Sequence, residues 1–146
     1  MPVRKFLDTS AEVKLYVTEP ATPAVQAAVT DCDEVLISQL TLLDFPSALY
    51  GMVRERRKTQ AEAAMVVRLF DADLPNVTVI PADKDVYQRA VTLLEIYAVS
   101  DKLRPLDSLQ LATALEEHAR NPIDAIVTTD TVQRLIAAAN GLRVEP

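Results

Sequence analysis

Short apolar runs of strand length alternate along this chain with longer stretches of helical spacing, and that alternation constrains the fold more than any other feature. The runs are Val3–Leu7, Val35–Ser38, Val77–Ile80 and Ala125–Val127, with a shorter one at Leu142–Val144. Strands that alternate with helices predict an α/β domain whose sheet is mostly parallel and covered on both faces. In such sheets the ligand crevice lies beyond the carboxyl ends of the strands, where the chain order reverses. The polar residues at those ends therefore decide what the chain can do.

The connecting segments carry their own start and stop signals. Ser10–Val17 reads as a helical turn or two that stops near Pro20, and Pro23–Thr30 as a second helix. Thr41, with Asp44 three residues on, has the form of a capping box opening a helix that runs to about Arg57, with Pro46 in its early turns. Thr59 is placed to cap Gln60–Asp71, packed back as a helical hairpin. Val86, Ala90, Leu93, Leu94 and Tyr97 recur at helical spacing, and Leu106–Glu117 is apolar on most sides, which predicts deep burial. Val132, Leu135, Ile136 and Ala139 mark one face of a last helix. Asn140-Gly141 ends it, with the glycine suited to a left-handed C′ position.

Bulk composition narrows the function classes. The 146 residues suit one domain, 1–146, and an apolar content of 49% argues against disorder. No apolar run approaches a membrane span, and the opening MPVRKFLDTSAEVK lacks the core of a signal peptide, so a cytoplasmic location is expected. The single cysteine, Cys32, has no internal partner for a disulfide, and with one histidine the usual His/Cys zinc site is excluded. Two glycines, Gly51 and Gly141, leave nothing from which to build a dinucleotide fingerprint or a phosphate-binding loop. The net charge of −6 argues against a protein that coats nucleic acid. It argues less against an enzyme that grips a phosphodiester through bound cations, since those ions supply the positive charge.

Four aspartates stand where the crevice is expected. Asp8 follows the first strand and Asp130 follows the fourth, while Asp44 and Asp107 lie in the first turns of their helices. Taken singly, each is also what a helix start favours, worth about 0.5–2 kcal/mol as a cap or against the macrodipole, and capping is then the default. Their joint placement points further. Carboxylates gathered at one crevice repel and raise one another's pKa unless a cation sits among them, and Mg²⁺ or Mn²⁺ with oxygen ligands meets that need. Such ions activate water and stabilise charge on a phosphoryl group.

Other residues carry weaker signals. Ser10 is placed to hydrogen-bond a metal-bound water or to cap the first helix, with capping the default. His118 falls in the last turn of its helix, where a cation suits the dipole. Arg54, Arg56, Arg57 and Lys58 form the densest basic patch, read either as a solvated helix end or as a nucleic-acid contact.

The segments FLDTSAEVKLYVTEP, ISQLTLLDFPSALYG, LRPLDSLQLATALE and AIVTTDTVQRLIAAANGLRV, in this order and spacing, resemble the PIN-domain family, most of all the VapC-type toxins of toxin–antitoxin pairs. The resemblance spans essentially the whole chain. It implies a three-layer α/β/α sandwich with a central, mostly parallel sheet, Mg²⁺-dependent endoribonuclease activity, a homodimer and inhibition by an antitoxin protein. It also implies that Asp8, Asp44, Asp107 and Asp130 are the acidic quartet, with Ser10 as the polar neighbour of the first acid; on that reading Asp8 and Asp107 are the principal metal ligands, Asp130 a ligand or a partner behind the ligands, and Asp44 a water-positioning group or second ligand. Two departures stand out: Asp44 replaces the usual glutamate, and Glu12 occupies a position that is commonly apolar. The alternatives are a non-catalytic PIN-like interaction module and another metal-dependent phosphohydrolase.

Overall fold

A computed structural model describes residues 1–146. Its centre is a five-stranded sheet made of β1 (Arg4–Leu7), β2 (Glu34–Ser38), β3 (Thr78–Ile80), β4 (Ala125–Val127) and β5 (Val144–Glu145). The spatial order is β3-β2-β1-β4-β5, and every pairing is parallel. Seven helices connect and cover it: α1 (Thr9–Lys14), α2 (Thr22–Val29), α3 (Thr41–Arg54), α4 (Gln60–Asp73), α5 (Lys84–Tyr97), α6 (Pro105–Arg120) and α7 (Thr131–Ala139).

The period-2 pleat sorts the central strands between two cores. Phe6, Leu36 and Ile126 face one side, packing with Val86, Leu111 and Ile136 of α5, α6 and α7. Their neighbours Leu7, Ile37 and Val127 face the other, against Ala11, Val25, Phe45 and Phe70 of α1, α2, α3 and α4. Three layers result, with the sheet in the middle. Phe45 and Phe70 stack at 4.0 Å, and Tyr16 meets both edge-on.

The chain winds outward from β1 to β2 and β3, then returns through α5 and α6 to place β4 on β1's other side. The order therefore reverses between β1 and β4, and a crevice forms beyond their carboxyl ends. At the opposite end of β1, residues that the sequence pattern reads as a plain buried strand include two cations. Arg4 pairs with Glu34 at 2.6 Å and Glu117 at 2.8 Å, and Lys5 reaches Glu145 at 3.1 Å.

Several boundaries differ from the sequence expectation for identifiable reasons. Asp8, not Ser10, caps α1, because its Oδ1 accepts from the Ala11 N–H at 2.8 Å. Thr41 is not an N-cap: α3 begins after Leu40 without a side-chain cap. The Thr41 hydroxyl instead bonds to Gln110 at 3.1 Å. That helix stops at Arg54 because Arg56 turns left-handed, φ 59°, and the Arg57 N–H closes on Met52 O at 2.8 Å. Thr59 caps α4 as expected, and the structure adds a reciprocal bond from Glu62 that completes a capping box; Gly141 is left-handed, φ 87°, as expected. Along α6, burial is continuous from Ser108 to Leu115, while Leu106 is exposed. No helix is long and apolar enough to cross a membrane.

Candidate active site

A cleft of about 440 Å³ opens beyond the carboxyl ends of β1 and β4, and Asp8, Ser10, Asp44, Asp107 and Asp130 all line it. Four separate stretches of chain deliver them. Asp8 ends β1 and starts α1, Asp44 sits in the first turn of α3, Asp107 in that of α6, and Asp130 caps α7 by accepting from the Gln133 N–H at 2.8 Å. Capping and cleft lining are thus both true of Asp8 and Asp130.

Asp8 is the most constrained of the four, being 1% exposed. Thr128 donates to its Oδ2 at 2.7 Å, and Ser10 Oγ lies 3.0 Å from both carboxylate oxygens. Ser10 Oγ therefore sits on the side of the carboxylate from which one group can reach both oxygens. Asp44 accepts from Thr9 at 3.3 Å, and Asp107 accepts from Gln133 Nε2 at 3.1 Å. The only cation near Asp107 is Arg104, 4.0 Å away and largely in solvent.

Burial is the main reason that Asp8, Asp44 and Asp107 hold their protons more tightly than ordinary carboxylates. Like charge adds to it in a chain: Asp130 raises Asp8 and Asp107, and Asp107 raises Asp44. The hydrogen bonds from Thr128, Ala11, Ser10, Thr9 and Gln133 work in the opposite direction, though they do not offset burial.

No three of these carboxylates lie close enough to hold one ion between them. The donor set nevertheless suits a hydrated hard cation. Mg²⁺ keeps several waters and takes one or two carboxylates directly, so the remaining acids act through water. Gln110 Oε1 and Gln133 Oε1, both on lining residues, are buried acceptors without a partner, and bound water supplies the donors such atoms take. Thiolate and imidazole are missing from the lining, which disfavours softer metals.

Beneath the acids runs a polar network that the sequence does not announce. Gln110 Nε2 donates to Thr9 at 2.8 Å and to Thr41 at 3.1 Å, tying α6 to α1 and α3. Thr128 joins Asp8 to the Asp130 N–H, which it accepts at 3.1 Å. The one available signal is polarity at buried pitch: Gln110 and Thr113 interrupt an apolar stretch, and Thr128-Thr129 follows an apolar strand. His118 lies elsewhere, its Nδ1 accepting from the Ile123 N–H at 3.1 Å, a structural role.

Solved structures share this architecture. The sarcin-ricin loop cleaving toxin VapC20 of Mycobacterium tuberculosis superposes with a TM-score of 0.66 at 18% identity, covering 97% of this chain and 99% of that one. FitAcB from Neisseria gonorrhoeae gives 0.69 at 19% identity, over 97% and 96% of the two chains. A toxin–antitoxin complex from Klebsiella pneumoniae gives 0.60 at 18% identity, over 89% of each chain. At these identities the likeness is one of fold. No curated protein is significantly similar in sequence. The PIN domain family model, however, matches residues 5–139, from the central strand carrying Asp8 through the helix capped by Asp130. A match over that span, on a cleft at the expected strand ends, makes this chain a member of the PIN domain family.

Proposed function

We propose that this single-domain chain, residues 1–146, is a Mg²⁺-dependent endoribonuclease acting as the toxin of a type II toxin–antitoxin pair. One observation carries the reading: four aspartates from four stretches of chain line a single cleft at the reversal point of the sheet. PIN domains are a nuclease family and are typically metal-dependent, and VapC20, of like fold, is a sarcin-ricin loop cleaving toxin.

Asp8 and Asp107 are the residues that would hold the ion, with Asp130 acting on it through water. A bound Mg²⁺ or Mn²⁺ supplies charge neutralisation at the phosphoryl oxygens and lowers the pKa of water. Asp44 orients the attacking water and receives its proton, a task suited to a carboxyl whose pKa burial has raised. Thr128 and Ser10 fix the rotamer of Asp8, and Gln133 fixes that of Asp107. The protein is otherwise acidic, so the phosphodiester is held through the ion more than through a basic surface.

The antitoxin is read from the same cleft. An arginine of such a partner pairs with Asp107 in two parallel hydrogen bonds and displaces the metal; Asp8 is too deeply buried to be reached first. Leu42, Leu43 and Tyr50, exposed along α3, receive the rest of the segment as an amphipathic helix. A second copy of the chain has Tyr87, Val91 and Ile96 of α5 as apolar contact surface.

The spread of the acids is what favours a non-catalytic module as the second reading. Incubation of the purified chain with a mixed RNA pool, with Mg²⁺ and then with chelator, separates the two. Cleavage only with the metal supports the nuclease; RNA left intact under both conditions overturns it in favour of the module.

A further inference from the structure

The cleft extends well past the carboxylates. Lys14 at the end of α1, Glu19 in the segment after it, and Ser47, Ala48 and Met52 of α3 continue its lining. From Asp44 to Met52 is eight residues of helix, a rise of about 12 Å, which is longer than the reacting phosphodiester alone requires.

The far end carries two cations held only loosely. Lys14 is largely buried, yet its Nζ has nothing nearer than Ser10 O at 3.4 Å and Glu19 at 4.0 Å. Arg57 reaches the same Glu19 at 3.5 Å, and Glu55 at 3.5 Å. Charge-assisted pairs in good geometry run to about 2.7–2.9 Å, as Arg4 shows at the other end of the molecule. Glu19 is therefore one carboxylate shared at long range by two cations.

The backbone places Arg57 there. After α3, Arg56 adopts the left-handed conformation usually left to glycine, and the N–H groups of Arg56 and Arg57 close on Val53 O and Met52 O. This closure brings Arg57 back to Glu19, which lines the cleft. Between the two charged ends lies an apolar stretch of wall formed by Val13, Ala48 and Met52.

We infer that Lys14 and Arg57 bind a backbone phosphate of single-stranded RNA flanking the scissile bond, with Glu19 as the anion that phosphate displaces. The inference rests on the nuclease reading and adds the direction of the strand, from the carboxylates along α1 and α3 to the basic turn. The apolar wall is then the surface against which an intervening base packs. Glu19 keeps the two cations in place before binding and weakens the hold on RNA, so its removal tightens binding.

The test uses a fluorescein-labelled, unstructured twelve-nucleotide RNA of mixed sequence, titrated with protein in Mg²⁺ buffer over a series of salt concentrations. Asp8→Asn throughout prevents turnover. Lys14→Gln and Arg57→Gln should each weaken binding several-fold and reduce the log–log salt slope by about 0.7, the single-strand value per phosphate neutralised. Lys14→Arg should restore both, and Glu19→Gln should tighten binding. In the active protein, Lys14→Gln should raise KM for the twelve-mer far more than it lowers kcat. RNA binding that is unchanged in affinity and slope by all three charge removals overturns the inference and leaves the nuclease reading standing. RNA that the parent neither binds nor, without Asp8→Asn, cleaves overturns both.

Discussion

Thr128 Oγ1 donates a 2.7 Å hydrogen bond to Asp8 Oδ2, so the end of β4 holds the carboxylate at the end of β1. The same oxygen accepts from the Asp130 N–H, so one hydroxyl sets the spacing of two acids across the reversal point. Thr128→Val removes a fully buried donor while keeping the shape, at a cost of about 1–3 kcal/mol in stability. It also removes a bond that favours ionised Asp8, so the carboxyl moves further up. The acidic limb of the pH–rate profile for RNA cleavage should shift to higher pH in this variant, with the maximum rate reduced. An unshifted limb would separate Asp8 ionisation from catalysis.

Glu12 is the most unusual group outside the cleft. It lies 2% exposed on α1, its Oε2 has no partner, and burial, with Asp73 adding to it, pushes its pKa up to about 7. A carboxyl raised in the folded state stabilises the fold at low pH and loses that contribution as pH rises from its ordinary 4.5 to about 7. The loss is on the order of 3 kcal/mol, at 1.36 kcal/mol per unit. Glu12→Gln should therefore raise the melting temperature at pH 8 and leave it almost unchanged at pH 4.5. An equal effect at both values, measured by thermal denaturation, would show that Glu12 is paired in solution.

Much of this architecture is legible in the sequence, because parallel strands buried on both faces must read as short apolar runs. Phe6-Leu7, Leu36-Ile37 and Ile126-Val127 do so, and the aspartates that follow two of these strands are visible as breaks from apolar to acid. The supporting network is not legible. Gln110, Gln133 and Thr128 look like ordinary surface residues until three elements close around them, since a buried amide is recognisable only by its partners. Thr41 misleads for the same reason: its hydroxyl is committed to α6 and not to its own helix. Arg4 and Lys5 are tolerated in a central strand only because Glu34, Glu117 and Glu145 arrive from elsewhere in the chain.

Divalent metal should stabilise the protein through the cleft. Binding to the native state alone contributes about 1.4 kcal/mol at ten times the dissociation constant. Because Asp8, Asp44 and Asp107 hold protons that compete with the ion, affinity should rise with pH. Titration calorimetry over a pH series that starts at the ordinary carboxylate range measures it. Affinity that rises nowhere in the series, or binding undiminished by Asp107→Asn, would place the ion elsewhere.

The proposed antitoxin contact uses the accessible Asp107 carboxylate and the exposed face of α3. A protein encoded beside this chain should co-purify with it and suppress cleavage, and Leu43→Glu should break the complex without unfolding the chain, since Leu43 is 71% exposed. Failure of that neighbour to bind makes the chain a solitary nuclease and leaves the metal chemistry intact.

Whether the acidic cleft cuts RNA is tested most directly by Mg²⁺-dependent cleavage of an RNA pool by wild type, Asp8→Asn and Asp107→Asn at equal concentration, with the fold of each checked by circular dichroism. Asparagine keeps the N-cap at position 8, so all three should be folded. Wild type alone should cleave, and chelator or either substitution should abolish the cleavage. Full activity in folded Asp107→Asn would contradict cleavage by the acidic cleft.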